Sequence, residues 1–348
     1  NTIGAAMVEY EKAGLAHKAY IYGFDETRSE YNRLVKEILR QLKARFPNVP
    51  VMSTYLDRTL GAQSGLAGMI DIWVPGVEAI DHTARQTAQE RGDLVYWYLH
   101  VSVKSPNPNW FNGYLPSDTR VLLGPLSHKL QLDGFLYYNI NRWIGRAPMS
   151  DGVLSHWDPR TYPNADGDGS LYYPGPEGPL ASQRLQNFRD GMEDYNLLEE
   201  LENEIREAET RGAPGDVLAD ARVLLGAGAV ATDERNFTKD PAAYRQWRDR
   251  VADMIVVLSK HTAPERIRKR MDAYEASGEL KRPLLSQLDN NLKQAIHHFE
   301  QGRTEQAVKS LDDFLKHLSN AGLQSAVGEQ AKTQLTADIR RLIAIWQR

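Results

Sequence analysis

No cysteine occurs anywhere in the chain, which excludes disulfides, thiolate metal sites and a cysteine nucleophile. No apolar run reaches the roughly 20 residues that a membrane-spanning helix needs. No block of lysine and arginine offers a nucleic-acid surface, and the net charge of -4 with a charged fraction of 25% is ordinary. A G-x-G-x-x-G turn between strand and helix is missing, as is a Walker loop, so nothing points to nucleotide chemistry. Neither a methionine nor a signal peptide opens the chain at Asn1, so a processed product or an internal piece of something longer is expected. At 348 residues there is enough chain for a large core and more than one domain.

What is present is concentrated. The tyrosines and tryptophans lie mostly in the first half, in short β-prone segments. "AYIYGFDE" (19–26), "VPVMSTYL", "MIDIWVPG", "LVYWYLHV" and "DGFLYYNINRW" read as strands ending near residues 26, 55, 74, 99 and 141. Between them lie helical patterns: Leu34, Val35, Ile38, Leu39 and Leu42 recur at helical spacing, "DHTARQTAQERG" is a polar helix, and "DTRVLLGPLSHKLQL" is a helix interrupted at Pro125. Alternating strands and helices imply parallel β/α architecture. A (β/α)8 barrel fits better than a Rossmann sheet, but five strands do not close one. The expected fold is therefore α/β: the C-terminal part, about strands 4–8, of a (β/α)8 TIM-type barrel, with three βα units upstream, followed by an all-α helical bundle. On that reading the chain alone is expected to be inactive.

The first strand ends on two adjacent acids, Asp25 and Glu26. Successive strand residues point to opposite faces, so both acids reach one ligand only where the strand turns into a loop. From the dipeptide alone, a helix N-cap by Asp25 or Thr27 is the favoured reading, and the aromatic strand ends around it shift that balance. The other strand ends carry Tyr55 and Asp57, Trp73, Trp97 and Tyr98, and Asn139, Asn141 and Trp143. Polar and aromatic groups gathered at one end of parallel strands are where such folds place their sites. Aromatic walls with acids between them suit a sugar. Trp73, Trp97, Tyr98, Tyr138, Asn141 and Trp143 are the candidate sugar-binding residues; singly, each aromatic is as readily barrel core.

The stretches "YIYGFDE", "VYWYL", "DGFLYYNINRW", "GDGSLYYPG" and "SQRLQNFRDGMEDYNLLEEL" resemble, in this order, the catalytic barrel of glycoside hydrolase family 123, over roughly residues 1–205. Its characterised members are β-N-acetylgalactosaminidases. The resemblance implies that Asp25 holds the substrate's 2-acetamido group and that Glu26 is the general acid/base of a retaining, substrate-assisted reaction. It implies a glycan containing β-linked N-acetylgalactosamine as substrate, no cofactor and no metal. The family often has tryptophan in its eighth strand where this chain has Tyr137 or Tyr138. The alternative is a non-catalytic, barrel-derived carbohydrate-binding or surface protein whose acids are only caps.

"NADGDG" at 164–169 imitates the start of a calcium loop through Asn164, Asp166 and Asp168, but the twelfth position is Gly175 where a glutamate is required, so a plain turn is expected. Arg184, Asp190, Glu193 and Asp194 read as structural ion pairs, and the adjacent His297 and His298 point apart on their helix. The expected domains are the barrel over 1–210, a helical extension over 211–262 packed on it, and a helical module over 265–348. In the module, Leu288, Leu292, Ala295, Ile296 and Phe299 stripe one helix and Ala307, Leu311, Phe314, Leu315 and Leu318 the next. The pattern of Ala295, Phe299, Gly302, Ala307, Leu311 and Phe314 is similar to that of the FIMAH domain. This resemblance implies an extracellular, secreted bacterial setting and attachment to cell wall or another extracellular polymer.

Overall fold

The computed structural model describes residues 2–142, 165–175 and 177–347. Five strands form one parallel sheet in sequential order: β1 (Ile21–Tyr22), β2 (Val51–Ser53), β3 (Ile72–Trp73), β4 (Leu94–Tyr98) and β5 (Gly134–Leu136). The sheet curls as a half-barrel, and among the described residues β1 and β5 each pair on one side only. Helix α1 (Thr2–Lys12) precedes β1, α2 (Asn32–Arg45) joins β1 to β2, and α3 (His82–Glu90) precedes β4, while β2 and β3 are joined by turns alone. Asp81 caps α3 by accepting from the Ala84 N–H at 2.8 Å. The helix over Pro116–Lys129 does not break at Pro125: α4 (Pro116–Val121) and α5 (Ser127–Lys129) are joined by a wide turn over Leu122–Leu126 that absorbs the proline. A small antiparallel pair follows, β6 (Tyr172–Tyr173) with β7 (Leu180–Ala181).

Strand register separates two faces of the parallel sheet. Tyr22 pairs with Met52, Met52 with Ile72, and Tyr98 with Leu136. On this face Met52, Ile72, Val74 and Tyr98 pack with Tyr96 and Leu136. Ser53, Trp73, Val95, Trp97 and Phe135 have the opposite parity. There Phe135 meets the rings of Trp110 and Phe188 at 5.3 and 5.9 Å, and the Trp73 N–H donates to Asp93 at 3.0 Å. A Cβ on Gly134 would lie 2.6 Å from the Tyr96 ring, so only glycine lets that ring cross β5. The fifth strand stops at Leu136, five residues short of expectation; beyond it, Asn141 forms only an isolated bridge with Ser170.

The remaining helices are α6 (Gln183–Thr210), α7 (Gly215–Leu225), α8 (Pro241–Ser277), α9 (Leu284–Glu300), α10 (Thr304–Leu318) and α11 (Glu329–Trp346). Contacts divide the chain into two compact units, residues 1–198 with 227–246 and residues 199–226 with 247–348. In the first, Asp194 takes a bidentate contact from Arg120 at 2.8 Å and a hydroxyl from Tyr244 at 2.8 Å. In the second, the stripes of α9, α10 and α11 meet in a core where Leu288, Leu292, Phe314 and Leu335 are fully buried. No break falls at 262–265, because α8 runs through Pro264. Proline has no N–H for the carbonyl four residues back; that carbonyl, of Lys260, accepts instead from the Trp346 indole at 3.3 Å. No helix among the described residues is long and apolar enough to cross a membrane.

Candidate active site

The C-terminal ends of the strands open into a cleft of about 860 Å³. Asp25 and Glu26 both line it, with Tyr22, Thr54, Glu78, Tyr98, His100 and Asp168. The local backbone explains how neighbouring residues share one cleft. Phe24 and Glu26 have φ of 62° and 45°, left-handed values that a non-glycine residue holds only where its surroundings impose them. The surroundings are visible: the Ser53 hydroxyl donates to the Phe24 carbonyl at 3.1 Å, and the Glu26 N–H donates to Thr54 Oγ1 at 2.9 Å.

The two acids have different partners. Asp25 Oδ1 accepts from the Tyr22 and Thr54 hydroxyls, each at 2.7 Å. Glu26 Oε1 accepts from the Tyr98 hydroxyl at 2.8 Å. Neither acid caps a helix, since the turn at Ser29–Tyr31 and the start of α2 have no side-chain cap. Burial, with Asp25 also accepting its hydrogen bond, pushes the Tyr22 phenol up to about 12. Burial pushes the Tyr98 phenol up as well, reinforced by its hydrogen bond to Glu26. Both phenols therefore remain donors at neutral pH.

Two further carboxylates complete the walls. Asp168 is buried and accepts from the Tyr137 hydroxyl at 2.8 Å; burial raises its carboxyl despite that bond. The glycines on either side of it, Gly167 and Gly169, have φ of +89° and +73°. A Cβ on Gly169 would meet the Tyr138 hydroxyl at 2.5 Å, so the tight turn needs glycine there. Glu78 meets His100 with Oε1 and Nε2 2.8 Å apart. Burial alone would raise Glu78 and lower His100; their mutual contact, with Arg58 also acting on Glu78 and with Glu26 and Asp168 acting on His100, outweighs it, so Glu78 is lowered and His100 raised.

Of the expected sugar-binding residues, Tyr98 and the exposed Tyr138 line the cleft. Trp73 and Trp97 are placed elsewhere, both 0% exposed on the opposite face of the sheet from Tyr98. Asn141 is exposed outside the cleft lining, with its N–H on Asn139 Oδ1 at 2.9 Å. Trp143 and Asn164 lie outside the described residues. Tyr20, Tyr22, Thr54, Glu78 and His100 were not anticipated. Parity was the available signal: Thr54 continues the Met52 face and His100 continues the Tyr98 face. Tyr55, expected at a strand end, is instead buried, and its hydroxyl bonds Asn32 and the Arg28 carbonyl.

A family model of the glycoside hydrolase 123 catalytic domain matches residues 7–201, and a FIMAH domain model matches residues 264–344. No curated protein matches the chain.

Proposed function

The chain belongs to the glycoside hydrolase 123 family, and we propose that it is a retaining β-N-acetylgalactosaminidase working by substrate-assisted catalysis. Most retaining glycosidases use two carboxylates about 5 Å apart, one of them a nucleophile. A 2-acetamido sugar supplies its own nucleophile. Glu26 gives its proton to the glycosidic oxygen as the C1–O bond breaks, and the acetamide oxygen bonds to C1 to form an oxazolinium. Asp25 accepts the acetamide N–H and stabilises the positive charge. Glu26 then takes a proton from water, which adds to C1 and opens the ring, so the configuration is retained.

The observation that carries this reading is the unequal support of the adjacent acids within one cleft. Asp25 accepts two hydroxyl hydrogen bonds that hold it in place to receive an acetamide N–H, whereas Glu26 accepts one, from a phenol, and both are exposed to the cleft. The alternative, a non-catalytic protein with capping acids, loses its premise, since neither acid caps a helix. We further propose that β1–β5 are strands 4–8 of an eight-stranded barrel, and that the FIMAH-like segment attaches a secreted enzyme to an extracellular polymer. An aryl β-N-acetylgalactosaminide is the test substrate. Hydrolysis that a thiazoline analogue of N-acetylgalactosamine inhibits is expected; a covalent sugar trapped on Asp25 or Glu26 would rule the scheme out.

A further inference from the structure

Glu78 and His100 have no role in that scheme, yet both line its cleft. We propose that Glu78, His100 and Tyr98 form a positioning chain for the general acid/base: Glu78 holds the His100 imidazole, the imidazole holds the Tyr98 ring, and the Tyr98 hydroxyl sets the Glu26 carboxyl. This rests on the reading of Glu26 given above.

Each link is a direct contact. Glu78 Oε1 and His100 Nε2 are 2.8 Å apart, the His100 and Tyr98 rings stack at 4.9 Å and 26°, and the Tyr98 hydroxyl donates to Glu26 Oε1 at 2.8 Å. The links come from three different strand ends, so no single loop holds the arrangement by itself. A glutamate's terminal torsion is broad, and one hydrogen bond fixes it only if the donor is itself fixed. The Tyr98 ring is buried, with His100 stacked on it. The site for Glu78 is equally specific: a Cβ on Gly76 would lie 2.9 Å from Glu78 Oε2, so the backbone there makes room for the carboxylate.

Charge supports the same assignment. The acidic groups acting on His100 are Glu78 from beyond β3, Glu26 from beyond β1 and Asp168 from the glycine turn, while Arg58 acts on Glu78. Burial works against the imidazolium and these carboxylates favour it. When Glu26 gives up its proton, the imidazolium is close enough to offset part of the new negative charge.

The test uses the full chain with ¹³C-carboxyl glutamate, Glu26 being assigned by its absence in Glu26→Gln. The Glu26 carboxyl resonance should show a step at the pH where His100 titrates. That step should vanish in His100→Asn and shrink in Tyr98→Phe, where only the direct charge effect of the imidazolium remains, and Glu78→Gln should move it to lower pH. A resonance without the step, or a step undiminished in Tyr98→Phe, would overturn the proposal. In kinetics, Tyr98→Phe, His100→Asn and Glu78→Gln should each lower kcat about tenfold on alkyl glycosides, less on activated aryl glycosides, with KM nearly unchanged. Equal losses on both substrates, or a change in KM alone, would mark a structural role and contradict the proposal. Turnover is read on a barrel completed by strands one to three, since β1–β5 alone are expected to be inactive; there, a wild type that shows the carboxyl step but turns over neither substrate counts against the glycosidase reading and not against the chain of contacts.

Discussion

The unit containing the curled sheet and the unit formed by the C-terminal helices hold themselves together differently. In the first, all five non-glycine residues with positive φ among those described are found: Phe24, Glu26, Leu60, Gln131 and Ala227. Its cleft keeps four carboxylates, Asp25, Glu26, Glu78 and Asp168, beside one another. The second has no such backbone position among the described residues, and its core is a plain meeting of apolar stripes. Strain and like charge cost free energy and persist only where something over-determines them. Their confinement to one unit separates the part built for chemistry from the part built for packing.

That contrast should appear when each unit is damaged. Glu26→Gln should lower kcat on poor leaving groups by about 10²–10⁴-fold and spare activated aryl glycosides more, with the melting curve unmoved because the side chain is exposed. A kinetic loss that follows a drop in melting temperature would erase the contrast. Phe314→Ala should do the reverse. Phe314 is 0% exposed in the helical core, and its truncation should cost about 3–5 kcal/mol in denaturant titration while turnover per folded molecule is unchanged.

Gly169→Ala sharpens the boundary. Its Cβ would press on the Tyr138 hydroxyl and on Arg142 at a left-handed position. Stability should fall by only about 1–2 kcal/mol, while inhibitor affinity, read by calorimetry, weakens because the cleft wall shifts. The smallest effect is in pH. His100 is raised from its ordinary 6.5, so its contribution is complete below that value and fades as pH climbs through the folded one. Glu78 is lowered from 4.5, so its contribution is complete above 4.5 and is lost as pH falls through the folded value. The pair therefore adds most between 4.5 and 6.5. Glu78→Gln should cost at most about 1 kcal/mol there and less at alkaline pH, by denaturant midpoints. A difference constant across that range would remove the ion pair from the account.

Much of this contrast was legible in the sequence. The helical module was readable because amphipathic helices write their buried face as a period, and Leu288, Leu292, Phe314 and Leu318 all fall in the core as the stripes require. The five strands and their parallel order were readable from the alternation of strand and helix. The cleft was only partly so. A parallel sheet is apolar on both faces, so "LVYWYL" gives no sign of which aromatic looks inward; Tyr98 did, and Trp97 and Trp73 did not. Nor does any local propensity announce a left-handed Glu26. That conformation depends on Ser53 and Thr54 from the next strand, almost 30 residues away.

The anomeric configuration of the first sugar released tests the central claim most directly. With an aryl β-N-acetylgalactosaminide followed by proton NMR, the account predicts that the β-anomer appears first and mutarotates later to the α-form. If the α-anomer appears first, water attacks directly at C1, and Asp25 and Glu26 do not serve an acetamide nucleophile.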